Sequence, residues 1–409
     1  MKRLMLALLV AAPLSASLAA QPVLPDAAAV ELALDNHPEV MAANARADAA
    51  RAQARAMAAG SHEFIAGASL LNRRVDREGD YSEYDASLTR AVRLPGKAGL
   101  DRKAGDAGVL FAENMAEDAR HQAAVSLNDH WWDWVGAASE RAILDEAVAA
   151  LGQTADAVKR RLALRDASAL EADQADAALA LAQSAARSAS GREEAARVAL
   201  AARFPGLTLP ARAPALSAPQ VPAEGLTELG AHVVARSHEI GAAVAQADQA
   251  GLLAERSRRD RFADPSIGIR GFSERNGAER GVGLLFSIPL GGGNRGALAD
   301  QARAQATAAE AQAVAIRQQI SALAGRDVAT ASAAYAAWQD AHRAAQASAS
   351  AAARAGKGHA LGGLDLSDRL YVQRLAQEAA LAEVVASAEA WRAITRLRID
   401  SHTLWIHAD

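Results

Sequence analysis

Two kinds of hydrophobic period alternate along this chain. From Asp26 to about Ala59, Ala, Leu and Val recur at helical spacing, with Asp26 placed to cap the start and His37-Pro38 breaking the run early. His37 reads there as a packing or capping residue. The period then drops to two. His62–Leu71 is strand-like, and in Tyr81–Val92 the residues Tyr84, Ala86, Leu88 and Val92 face one way and Glu83, Asp85, Ser87 and Thr89 the other. Asn72–Asp80 between them reads as a charged loop. Leu94-Pro95-Gly96-Lys97 breaks the pattern and opens a helix from about Lys97 to Leu164, about 100 Å long at 1.5 Å per residue. The segment Arg165–Glu171 interrupts it, and a returning helix runs to about Arg203. Phe204–Gly225 holds five prolines and reads as a non-helical connector.

The order then repeats. Ser237-His238-Glu239-Ile240 echoes His37-Pro38-Glu39-Val40. Strands are expected at about 266–273 and 280–290, with Asn276-Gly277 as a two-residue hairpin turn. Val282, Leu284, Phe286, Ile288 and Leu290 share one face. Pro289 ends the strand, and Gly291, Gly292 and Gly293 let the chain turn into a second long helix, about Arg295 to Arg354. Ala355–Asp365 is the second interruption, and the last helix runs from about Leu366 to His402. The predicted fold is therefore mainly α with a small antiparallel β part: a first repeat over 21–203, the connector 204–225, and a second repeat over 226–409.

The alternation in these strands is that of a membrane barrel, apolar outside and polar inside. The alternative is a half-buried strand on a soluble core. Arg90, on the apolar face, fits an interface where it can snorkel. Each strand is close to the 9 to 11 residues that cross a bilayer. Four strands cannot close a barrel, and open edges in hydrocarbon cost several kcal/mol for each unpaired group, so strands must be pooled between copies. Three copies would give 12 strands, continued by a helical tube.

Composition agrees. The 409 residues include no Cys, and only 4% are aromatic, which suits long, closely packed helices more than a conventional core. Zero Cys excludes disulfides, thiolate metal sites and an N-terminal lipid anchor on Cys. A net charge of -4 gives no nucleic-acid footprint. Residues 1–20 read as a secretory signal: Lys2 and Arg3, an apolar core from Leu4 to Ala12, then small residues. Trp131, Trp132 and Trp134 read as helix packing, with a lumen lining as the alternative. His121, His130, His402 and His407 show no metal-ligand spacing and read as solvated surface residues. No metal, cofactor or catalysis is expected. Gly291–Gly296 fits G-x-G-x-x-G, but the helix that follows continues for some 60 residues with no parallel strand after it.

The hairpin ending Ser287-Ile288-Pro289-Leu290-Gly291-Gly292-Gly293, the duplicated layout and the Gly-x-x-x-x-x-Asp tip of Gly362–Asp368 resemble the outer-membrane efflux protein (TolC-like) family over essentially the whole mature chain. The resemblance implies a homotrimeric, 12-stranded outer-membrane barrel in lipid, on a periplasmic helical tunnel. It implies the exit duct of a tripartite pump, with a periplasmic adaptor and an inner-membrane transporter of the resistance-nodulation-division type. The short chain and Leu94-Pro95-Gly96-Lys97 resemble the branch for heavy-metal cations, such as cobalt–zinc–cadmium systems; drug efflux or type I secretion is the alternative substrate class. The resemblance also places the two interruptions at the closed periplasmic tip. Glu171 and Asp368 match its acidic positions, with Arg165, Asp365, Arg369 and Lys357 beside them. Arg165 stands where the pattern has Gly, so that turn is expected to differ in shape. Two other readings stand beside these. Glu171 and Asp368 could be ordinary first-turn acids facing a helix dipole. The whole chain could instead be a periplasmic adaptor or coiled-coil scaffold.

Overall fold

A computed structural model describes residues 24–406. The signal segment 1–20 and His407 lie outside the described residues. The order is α1 (Ala27–Asp35), α2 (Pro38–Ala59), β1 (Phe64–Val75), β2 (Gly79–Ala91), α3 (Lys97–Ala163) and α4 (Ala169–Arg203), then α5 (Leu226–Arg236), α6 (His238–Arg259), β3 (Ser266–Glu274), β4 (Glu279–Ser287), α7 (Gly293–Ala360) and α8 (Leu366–Asp400). The second six elements repeat the first six in type and order. Mainly helical with one small antiparallel sheet, this is the fold class the periodicities predict.

Local chemistry sets the helix ends. Asp26 caps α1 by accepting from the Ala29 N–H. His37 caps α2 through Nδ1, with Pro38 at the first helical position, where its missing N–H is harmless. Its ring is buried against Phe204, so His37 packs and caps at once. Ser237 does the same capping for α6.

The strands depart from expectation in length. β1 and β2 run through most of the charged stretch 72–80, pairing Arg73 with Tyr81 and Arg74 with Asp80, so the turn shrinks to residues 76–78. Arg73–Glu83 and Arg74–Asp80 ion pairs carry the ladder through residues that look like loop. The second hairpin has a four-residue turn, Arg275–Ala278, and not the two-residue form. Asn276 explains the difference. Its side chain leaves the hairpin, accepting from the Ser82 N–H (2.7 Å) and donating to the Asp80 carbonyl (3.3 Å). β4 ends at Ser287, short of Ile288 and Pro289. α7 also begins earlier and ends later than its glycines suggest. Gly356 and Gly358 stay helical, at about 1 kcal/mol each relative to Ala, because a 68-residue helix absorbs that cost cooperatively.

The sheet order is β1-β2-β3-β4, all neighbours antiparallel, so the two repeats meet at β2–β3. The same seam continues downward, where α3 packs on α6. The core lies below the sheet. Trp131, Trp132 and Trp134 are buried, and Trp132 stacks on Trp391 while its N–H donates to Asn128 (3.0 Å) and Thr395 (2.9 Å). The packing reading of these Trp residues holds. The connector is not loose: Phe204 and Leu207 are buried in this core, and the Ser217 carbonyl accepts from Trp391 (2.8 Å).

Candidate functional site: sheet, seam and helical tip

The sheet has one apolar face, and it is not packed against the helices. Register places Phe64, Arg90, Ile267 and Phe286 in one row, then Ala66, Leu88, Ile269 and Leu284, then Ala68, Ala86, Gly271 and Val282, all on one face. That face is open: Val282 is 86% and Leu284 89% exposed. The opposite face is mixed, carrying Glu83, Asp85, Ser87, Thr89 and Arg270 beside Ile65 and Phe272. Arg270 pairs with Asp85 there. On the apolar face, Arg90 lies at the row nearest the helices, over the Phe64 ring and donating to the His62 carbonyl (2.8 Å). An apolar band of this kind is stable only against hydrocarbon or another apolar surface. No described helix is long and apolar enough to cross a membrane.

Where strands become helices, the two repeats are locked by buried charge. Lys97, 1% exposed, donates to Asp264 (2.8 Å) and the Phe262 carbonyl (2.7 Å), and pairs with Asp260 at 2.8 Å. Asp264 also accepts from the Leu94 N–H (3.0 Å) and meets His62 at 3.1 Å. Burial alone would raise Asp264, but Lys97, Leu94 and His62 outweigh it and hold its carboxyl below the usual range. Asp260 is likewise held low, burial being outweighed by Arg256 and Lys97. Asp101 joins Arg93 (3.1 Å) to Arg256 (2.7 Å) alongside. Gly96 at φ 84 makes the turn that aims Lys97 inward, while Pro95 precedes it. The second turn is different. Gly292 caps α7 with an extended backbone, and Gly291 and Gly293 need no positive φ, so the glycine run after Pro289 is not a left-handed turn. The sequence reading missed the lock. Its only signal was charge next to two predicted strand ends.

At the far end of the long helices, the two tip turns have the same shape. Arg165 (φ 61) and Gly362 (φ 76) both take left-handed backbone. In each, the next residue's N–H reaches back to close the helix: Asp166 to Arg161 (2.8 Å) and Gly363 to Gly358 (2.9 Å). The expectation that Arg165 reshapes its turn is therefore corrected. The Arg161 side chain helps by binding both the Asp166 carboxylate (2.9 Å) and its carbonyl (2.8 Å). Glu171 closes a capping box with Ser168, accepting from the Ser168 N–H at 2.7 Å, and this bond is the main reason its carboxyl is held low. Asp365 is the N-cap residue of α8 without a side-chain bond, and Asp368 is in its first turn. Arg369 donates to Thr154 on α3 (3.1 Å). Leu366 is buried among Ala155, Val158, Ala172 and Ala175, so the two tips are packed together.

A third cluster lies midway, where α6 begins and α8 ends. His121 on α3 is buried, its Nε2 2.8 Å from Asp400 and its Nδ1 3.9 Å from both Asp118 and Glu239. His402 is buried too, stacked on His238. The solvated reading of His121 and His402 is thus overturned: tertiary packing, invisible in their spacing, covers both, while His130 is half-buried with Nδ1 2.7 Å from the Ser126 carbonyl. Burial alone would lower His121, but Asp118, Asp400 and Glu239 outweigh it and raise it to about 9. Burial, with the charges of His238 and His121, pushes His402 down to about 4.

No family model and no curated protein matches the sequence. Solved structures do. The chain is similar to the outer membrane protein VceC from Vibrio cholerae, at 19% identity over 91% of this chain and 95% of that one, with a TM-score of 0.73. It is similar to the Campylobacter jejuni CmeC outer membrane channel, at 17% identity over 93% and 86%, TM-score 0.74. The open state of the Neisseria gonorrhoeae MtrE outer membrane channel matches at 18% over 92% and 88%, TM-score 0.71. The chain therefore has the TolC-like fold of outer-membrane channels, along nearly its whole length.

Proposed function

We propose that this chain is the outer-membrane exit duct of a tripartite efflux pump, conducting substrate passively from the periplasm to the outside as a homotrimer. One observation carries the reading: the molecule contains one complete seam and the two halves of a second. β2 pairs with β3 and α3 packs on α6. β1 with α2 on one flank, and β4 with α7 on the other, are the same elements of the opposite repeats, and β1 and β4 are the sheet edges. Copies joined β4 to β1 would repeat the seam already present, closing a ring by a heterologous contact. Three copies make 12 strands, and long helices of 67 and 68 residues would extend the ring by about 100 Å.

Matching strand ends Ala91 with Ser287 and helix starts Lys97 with Gly293 sets the register: Leu284 of one copy would face Ala66 of the next, as Leu88 faces Ile269. The chain has no Cys, so Ala66→Cys with Leu284→Cys gives a clean test. Oxidation is expected to yield covalent trimers in detergent, and bilayers containing the protein are expected to pass current. A stably monomeric protein that passes none overturns the duct, and with it the membrane location and the trimer. An adaptor or scaffold would instead leave the membrane in salt.

Two finer readings depend on this one. Glu171 and Asp368, with Asp365, Arg165 and Arg369 near them, would ring the periplasmic constriction and bias it toward cations. Glu171→Gln with Asp368→Asn is expected to reduce cation selectivity; unchanged selectivity and gating leave both acids as helix-terminus residues. Heavy-metal cations are the substrate we favour, on Leu94-Pro95-Gly96-Lys97. Cells lacking the protein should then be hypersensitive to cobalt, zinc or cadmium; hypersensitivity to drugs alone overturns the metal assignment. An adaptor and an inner-membrane transporter complete the pump.

A further inference from the structure

We propose that Asp118, His121 and Glu239 form a binding site for one divalent transition cation of the zinc class, stapling the two repeats together beneath the sheet. The three donors come from α3 (Asp118, His121) and α6 (Glu239), the helices of the inter-repeat seam, and their ligand atoms lie within 4.8 Å of one another.

The orientation of His121 is the main argument. Its Nε2 is engaged by Asp400 at 2.8 Å, which leaves Nδ1 directed to the other two carboxylates, each 3.9 Å away. A carboxylate on one ring nitrogen and a metal on the other is how histidine ligands are usually oriented. Asp400 is itself fixed, buried in the side chain and 3.5 Å from Arg396 at its other oxygen. Metal–ligand bonds of about 2.0–2.2 Å in a tetrahedron separate donors by roughly 3.3–3.6 Å. Closing on an ion therefore requires a contraction of about half an ångström at the 3.9 Å separations, and of up to roughly 1 Å at the widest donor separation, within 4.8 Å. The two carboxylates can supply it, being 18% and 23% exposed in their side chains, and that opening also admits the ion and a water ligand. One imidazole and two carboxylates neutralise a divalent charge, and a nitrogen with two hard oxygens suits zinc, cobalt or nickel better than calcium or magnesium. Without an ion, a proton on His121 compensates the same acids.

The inference does not depend on transport. Full-length protein in detergent is stripped with a chelator, dialysed against zinc chloride at neutral pH, and its bound zinc measured after gel filtration. One zinc per chain is expected, lost in Asp118→Asn and Glu239→Gln and weakened 10- to 100-fold in Asp400→Asn. His232→Ala, on the half-buried face of α5, serves as a control that keeps its zinc. These partly exposed acids are chosen because His121 substitutions disturb a buried position; retained helical circular dichroism verifies folding. Wild-type protein that keeps no zinc, or acid variants that keep it at unchanged affinity, overturn the site. Conductance reads the duct and zinc retention reads this site, so each fails separately.

Discussion

The seam between the repeats and the open flanks are built from the same elements, yet they are finished differently. At the seam, Lys97 is buried against Asp260 and Asp264, and Asp101 bridges two arginines. At the flanks, Gly293 stands where Lys97 stands, and Gly60 and Ser61 stand where Asp260 and the Asp264 region stand. The difference is physical. Within one chain, charges meet at high effective concentration and their desolvation is compensated as the chain folds. Under the proposed trimer, a contact between copies would be made from separately solvated surfaces, so burying unpaired Lys and Asp beforehand would be costly. The covalently continuous seam carries the ion set, and the flank positions that match it are the small, neutral Gly293, Gly60 and Ser61.

The largest expected effect tests that lock. Lys97→Met leaves Asp264, 16% exposed in its side chain, without its cation, while Asp260, 41% exposed, keeps Arg256. The chain should lose about 3 kcal/mol, read by denaturant unfolding in detergent. Acid should act on the same group. Asp260 and Asp264 are depressed in the fold, so their stabilisation is present above the unfolded value of about 3.9 and is lost as pH falls through their lower folded values. Wild-type stability should fall on that acid side, and a Lys97→Met chain should show a flatter profile. A profile unchanged by the substitution would mean that the lock is decorative.

Next comes the flank. Leu284→Arg puts a charge on the open apolar face and is expected to cost about 2–4 kcal/mol in lipid or detergent, whereas Ser87→Arg on the opposite face should be nearly silent. Equal effects would remove the distinction between the two faces. Smaller still, Ser168→Ala breaks the first tip's capping box and should cost about 1 kcal/mol. The smallest is a gain. Arg165 holds left-handed backbone, and Arg165→Gly should relieve strain worth about 0.5–1 kcal/mol, raising the melting temperature slightly and making the two tips alike.

Those tips also show what a local pattern can and cannot say. Asp-Ala-Ser-Ala-Leu-Glu over 166–171 spells a helix start, and Ser168 with Glu171 forms the box that spacing promises. The position of the turn before it was legible but not its shape: Arg165 takes a glycine-like conformation beside Arg161, which braces Asp166 from the preceding helix. The charged run 72–80 was similarly opaque. Charged residues are depleted in strands, and only the partner across the ladder makes Arg73 and Arg74 strand residues.

The amino-acid order alone settled the repeat, the alternation of long helices with short strand pairs, and the apolar side of β2, β3 and β4. Those properties depend on neighbours within a few residues, through periods of 2.0 and 3.6 and through caps. It also led to the expectation that four strands, too few to close a barrel, are completed by other copies, which the proposed duct rests on. Tertiary structure alone decided which repeat edge is joined and which is free, that Lys97 meets Asp264, and that His121 meets Asp118, Glu239 and Asp400. Asp118 is only three residues from His121 on α3, but Glu239 and Asp400 come from α6 and α8, and such long-range pairings leave no period to read. They arise where packing brings distant charges out of water, and there each must find a partner.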